Sequence, residues 1–148
     1  MADIARIADV YVEVLSNRMG LEVTVKDDLL LFSPGGELTV ALPLLEHDPE
    51  FAHFSAPFAA ISSEVPLLQL YEICTKVTRR TGVATTIDPD RNLEFSVSWP
   101  VAGADCLPSA EHLQHVLPRG LAMLTAAIGL TLTEIQFADL VHGEREES

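Results

Sequence analysis

His112 and His115 stand three residues apart in a stretch of helical spacing, the arrangement by which one helix face offers two imidazoles to a metal ion. A closed site needs further ligands. Only Glu111 and His142 lie near in sequence, and nothing in the pattern brings them together, so the reading is a solvated helical face and no metal. His47, Asp48, Glu50 and His53 are the groups general acid–base chemistry would use, but they sit beside prolines with no orienting partner. Ser33-Pro34-Gly35-Gly36 lacks the Lys and Ser/Thr of a phosphate loop and precedes a strand, so it reads as a turn. Asp88, Asp90 and Asn92 have part of a calcium-loop spacing without its glycine or distal glutamate, and a hairpin turn fits better. Cys74 falls on an apolar stripe, and Cys106 lies in a loop where no histidine can be assigned as its base. Lys76, Arg79 and Arg80 read as partners of a helix dipole. No catalytic residue and no cofactor is assigned; the chain reads as a non-enzymatic binding protein, the alternative being a small-molecule-binding or enzymatic domain with a pocket between the second helix and the sheet.

Two sets of apolar residues are candidates for recognition instead. Phe51, Phe54, Phe58 and Trp99 hold four of the nine aromatic rings, and the phenylalanines share no single period. That irregularity marks them as partner-binding candidates, because exposed aromatics anchor interfaces. Leu121, Leu124, Ile128 and Leu132 lie in the most apolar part of the last helix and are candidates for a dimer surface.

The elements that must position these residues follow from periodicity. Ile4, Ile7, Ala8, Tyr11, Val14 and Leu15 predict an amphipathic helix ending at Gly20. The period then falls to two over Leu21–Lys26, with turns at Asp27-Asp28 and at Ser33–Gly36, a short run from Leu29 to Phe32, and a strand over Leu38–Leu42. A further strand is expected near Phe51–Ala56. Ser62 or Ser63 predicts a cap for a second helix with the stripe Leu67, Leu70, Tyr71, Cys74 and Val77, closed by Gly82. A hairpin follows, with Val83, Thr85 and Ile87 leading in and Leu93, Phe95, Val97 and Trp99 on one face. Ser109 predicts a cap for the last helix, which Pro118 and Gly120 should kink or split. Thr131–His142 fits a helix better than a strand.

The strands are apolar on one side only, and so are the helices. The expected fold is therefore α+β: a two-layer sandwich with an antiparallel sheet covered on one face by helices, in the order α, β-meander, α, ββ, α. It is read as one domain over residues 1–142, with a frayed charged tail over 143–148. The outer sheet face and the sheet edges are left for a partner.

Composition narrows the partner. The 148 residues are 48% hydrophobic and carry a net charge of −13. Before Pro66 the only basic residues are Arg6, Arg18 and Lys26, against eleven acids. Such a surface repels phosphate backbones and disfavours nucleic acid. Early charges exclude a signal-peptide core, and the uncharged run between Arg119 and Glu134 is shorter than the ~20 residues of a bilayer span. The expectation is a cytoplasmic protein with two free thiols and no membrane partner.

The order of elements resembles the superfamily that contains type III secretion chaperones of the CesT kind and YbjN-like proteins. The local likeness runs from Tyr71 to Ile128: the helix ending Lys76-Val77-Thr78-Arg79-Arg80-Thr81-Gly82, the hairpin with Leu93-Glu94-Phe95-Ser96-Val97, and the helix with Leu113, Val116, Leu117, Arg119 and Gly120. Phe54-Ser55-Ala56-Pro57 looks like the end of the family's first sheet segment. The resemblance implies a small acidic cytoplasmic protein, usually a homodimer, that binds another polypeptide without turning it over.

Overall fold

A computed structural model describes residues 4–35, 38–45, 49–103 and 106–147, with side chains to Glu144. His47, Asp48 and Gly36, which entered the sequence expectations above, lie outside the described residues.

The elements are α1 (Ile4–Val12), a π-helical segment (Glu13–Arg18), β1 (Val23–Lys26), β2 (Leu29–Gly35), β3 (Leu38–Pro43), β4 (Phe51–Phe58), α2 (Leu67–Thr81), β5 (Ala84–Ile87), β6 (Leu93–Pro100) and α3 (Ala110–Glu147). The strands form one antiparallel sheet of order β1-β2-β3-β4-β6-β5. The fold is the expected α+β sandwich. Its one-sidedness is visible along each inner strand. Leu30 and Phe32 of β2 face Leu42 and Val40 of β3 in register, and all four are buried. Ala52, Phe54 and Ala56 are buried on β4, and Leu93, Phe95 and Val97 on β6. The residues between them are open or half-open. Each fully buried Leu, Val or Phe stabilises the fold by about 1.5–3 kcal/mol.

Residue contacts group the chain into two compact units that interleave in sequence. The first comprises Met1–Ala56 and Val97–Ala122, the second Pro57–Ser96 and Met123–Ser148. A single domain over residues 1–142 was the expectation; the contact grouping is finer than that. The expected tail also differs, because helix α3 runs through Gly143 to Glu147.

In the first unit, Ile7, Ala8, Tyr11, Val14 and Leu15 are buried. The helix does not stay α-helical after Val12. The Met19 N–H bonds the Val14 carbonyl at 2.9 Å, five residues back, the bond of a π-turn. Gly20, with φ +73°, ends the segment as expected. The turn expected over Ser33–Gly36 is strand over its described residues. Strand β2 continues through Ser33, Pro34 and Gly35, with a register shift between Phe32 and Gly35. Pro34 is tolerated there because β1 pairs only as far as Phe32, so no partner on that side needs its missing N–H.

Of the kink or split expected at Pro118, the split does not occur: Pro118 lies inside one continuous helix. Gly120 has a packing reason. A Cβ there would stand 2.8 Å from Cε2 of Phe54, a ring that is 0% exposed. Ser109 caps the helix as expected, accepting the His112 N–H at 3.1 Å.

In the second unit, Leu70, Ile73, Cys74 and Val77 are the buried stripe of α2, and Tyr71 faces outward. Gly82 (φ +76°) closes this helix in the left-handed region. Neither serine caps its start; Pro66 takes the cap position with no side-chain bond. Ser63 instead donates to Asp139 of α3 at 2.8 Å, and the Glu64 N–H points to the same carboxylate at 3.3 Å. Lys76 and Glu134, 2.9 Å apart, also join α2 to α3. The β5–β6 hairpin closes over Asp88, whose carboxylate accepts the Asn92 N–H and side-chain amide, holding it below the usual carboxylate range.

Candidate interaction groove

The four expected aromatic anchors have different surroundings. Phe51 is exposed, with its ring 6.1 Å from that of His53. Phe54 is a correction: it is core, because strand alternation puts it on the inner face with Ala52 and Ala56. Phe58 is half-buried, edge-on to Phe95 at 5.6 Å. Trp99 is half-buried at the end of β6. Of the four expected dimer residues, Leu121, Leu124 and Ile128 are buried, and only Leu132 is open. The apolar periodicity that singled them out is that of the core stripe.

Among the described residues, no three His, Cys, Asp or Glu side chains gather where a metal could sit. His53 Nδ1 meets the Ser98 hydroxyl on the outer sheet face. Glu50 lies at the start of β4, where its carbonyl accepts the Val101 N–H and its Oε2 is enclosed without a partner among the described residues. Cys106 and His112 line a shared cavity of about 560 Å³, yet no hydrogen bond joins them. Cys74 is buried, and burial pushes its thiol up to about 11. Arg79 and Arg80 stand exposed in the last turn of α2, as the dipole reading required.

The first unit holds a feature of a different kind. Between α1 and β1 runs a groove of about 560 Å³ with a floor of Ile4, Ala8, Val12 and Val25 and a rim of Asp9, Glu13 and Asp27. Its construction follows from local sequence. Asp9 and Glu13 are four residues apart on α1, so they share a face. Val23 and Val25 pair with Phe32 and Leu30, so they point to the inner side of the sheet, and Lys26 points to the outer side. Lys26 pairs with Leu29 across a two-residue loop, and Asp27 takes the positive φ (49°) that this tight turn needs.

Strand β1 is the end of the sheet and, among the described residues, pairs only with β2. Val25 belongs to the inner side but is 51% exposed, because nothing of the described chain covers it. Glu13 accepts from Asn17 at 2.6 Å and lies 3.8 Å from Arg18, which also donates to Gln114 at 2.8 Å. Among the described residues no cation pairs with Asp9 or Asp27. The groove is thus apolar within, acidic at its rim, and open along a strand edge.

Sequence reasoning did not single out Val25, Asp9 or Glu13. The available signal was the excess of acids before Pro66, which needed the β1 edge beside it to become a surface. Helix α3 is long and apolar enough, by length and composition, to cross a bilayer, and part of it is packed as core. No family model matches the chain, and no curated protein or solved structure shows significant similarity to it.

Proposed function

We infer that this protein is a non-enzymatic polypeptide-binding module that takes an extended segment along the β1 edge, with apolar side chains in the α1–β1 groove. The observation that carries this reading is the free edge strand beside an apolar groove with an acidic rim. An unpaired edge offers a row of backbone donors and acceptors to an added strand. Alternate side chains of that strand would drop onto Val12 and Val25. Lysines or arginines flanking them would meet Asp9 and Asp27, which favours encounter and orientation more than raw affinity. The resemblance to secretion chaperones, which hold extended client segments, points the same way.

The test is fluorescence anisotropy with labelled peptides of alternating Ile and Lys against alternating Ile and Glu. The Lys peptide binds, more weakly as salt rises. Val25→Glu abolishes binding, and Asp9→Lys weakens it by about tenfold, the effect of losing ~1.4 kcal/mol. Equal binding of both peptides, or binding indifferent to Val25→Glu, overturns the assignment.

A further inference from the structure

Strands β1 and β5 are the two ends of the sheet, and the chain treats them differently. In an antiparallel pair every second residue turns its N–H and C=O away from the partner strand. Lys26 and Leu29 flank a two-residue loop, which makes them a hydrogen-bonded pair. Val23 and Val25 therefore carry the outward groups of β1, and among the described residues nothing bonds to them. On β5 the outward groups belong to Thr85 and Ile87, and Val83 continues the row just before the strand. Here three threonine hydroxyls intervene. The Thr85 N–H donates to Oγ1 of Thr78 on α2 at 3.0 Å, and the Val83 N–H donates to Oγ1 of Thr81 at 3.2 Å. Thr85 Oγ1 donates to the Val83 carbonyl at 3.1 Å. Thr78 and Thr81 give their own protons to the carbonyls of Cys74 and Val77, at 2.9 and 2.7 Å, so each turns a lone pair to the strand. The Thr85 carbonyl lies 3.5 Å from the same Thr78 oxygen.

We propose that Thr78, Thr81 and Thr85 guard the β5 edge, closing it to the addition of a strand from another chain. An arriving strand needs the donors and acceptors of Val83 and Thr85, and three of those four groups are already bonded to hydroxyls. Only Ile87, at the far end, keeps outward groups without a partner among the described residues. The local sequence shows why this edge needs a guard. Thr81 to Ile87 is a run of seven residues with no charge and no proline, rich in the β-branched types that favour cross-strand stacking. The β1 edge has charges instead, with Glu22, Lys26 and Asp27 around its two outward valines. Gly82, in the left-handed region, reverses the chain between α2 and β5, so that the last turn of the helix comes back against the strand it guards. The inference goes beyond the peptide reading of β1 and stands without it. Where β1 does take a peptide, the guard limits the sheet to one added strand per chain.

Amide hydrogen exchange by NMR on the full chain, with thioflavin T fluorescence beside it, tests the proposal. In the wild type the Val83 and Thr85 amides exchange more slowly than that of Ile87 by about tenfold or more, although all three face the same side. Thr78→Val keeps the side-chain shape and removes the hydroxyl. It speeds Thr85 by about tenfold relative to Thr86, whose N–H points to β6 and reports general loosening. The opened edge then pairs between molecules, and Thr78→Val becomes thioflavin-positive on incubation. Thr78→Ser restores the hydroxyl and both wild-type behaviours. Val14→Ala, a core variant of the first unit, controls for lost stability and stays thioflavin-negative. A wild-type Thr85 that exchanges as fast as Ile87 overturns the proposal, as does a Thr78→Val chain that remains thioflavin-negative. A signal equal to that of Val14→Ala at the same urea midpoint also overturns it, because instability alone then suffices.

Discussion

Tyr11 offers the sharpest test of the core. Its ring is 1% exposed in the first unit, and its hydroxyl has no hydrogen-bond partner among the described residues. A hydroxyl taken out of water without a partner costs about 1–3 kcal/mol. Tyr11→Phe removes that oxygen and keeps the ring, so the substitution stabilises the fold by about 1–3 kcal/mol. For a chain of this size, with about 2–4 °C per kcal/mol, the melting temperature rises by roughly 2–12 °C. Urea unfolding followed by circular dichroism measures the change, with the midpoint rising at unchanged slope. The pH dependence supplies a second arm. Burial raises the phenol above its ordinary value of about 10, so the folded state disfavours the phenolate. That part of the wild-type stability is complete below about pH 10 and is lost as pH rises through the folded-state value. The advantage of Tyr11→Phe therefore widens in alkali. A variant less stable than the wild type by 1 kcal/mol or more, or a gap that does not change above about pH 10, refutes the reasoning.

Other outcomes follow from the same contacts. Gly120→Ala destabilises by about 1–3 kcal/mol despite the better helix former, because the new methyl meets the enclosed Phe54 ring. Gly143→Ala, in the same helix with nothing within 4 Å, stabilises by up to ~1 kcal/mol; equal signs in urea unfolding contradict the Phe54 contact. A thiol reagent at neutral pH modifies Cys106 and spares Cys74 until the protein unfolds, as mass spectrometry of the labelled peptides reports. The hydrogen bonds from Asn92 depress the Asp88 carboxyl, so its share of stability is present above about pH 3.9 and is lost as pH falls through the lower folded value. Carboxyl-carbon NMR titration shows that depressed midpoint, and Asn92→Ala, which keeps the backbone donor, moves it only part of the way back up.

Local chemistry made much of the fold legible. Gly20 and Gly82 mark helix ends because glycine takes the left-handed backbone found there without a Cβ clash, and Ser109 caps α3 through a bond three residues long. The β5–β6 hairpin was readable from alternation alone. Long-range contacts defeated the rest. Ser63 leaves its expected cap because Asp139, 76 residues away, takes its hydroxyl. Gly120 looked like a helix breaker because the Phe54 ring against it belongs to another element. Between Leu121 and Leu132 the helix is apolar nearly all round, so periodicity could not say which side would be covered. Leu124 and Ile128 went inward and Leu132 outward. The groove needed three things in one place: an acidic pair on α1, a turn aspartate and a bare strand edge. Only the edge had been inferred.

The interleaving of the two units bears on how the protein is made. The first unit needs residues Met1–Ala56 and Val97–Ala122, so a ribosome that has released the first 56 residues has released half of a core. The second unit waits for the end of the chain, because Met123–Ser148 belongs to it. Throughout synthesis, Leu30, Val40 and Phe54 are therefore present before Leu113 and Leu117, with which they share the first unit's core, have emerged. A nascent chain stalled between residues 56 and 110 holds those sheet residues without the α3 side chains of the same core. The same arrangement means that any contiguous fragment holding one whole unit also carries part of the other, and a single truncation cannot remove one unit entirely and leave the other intact.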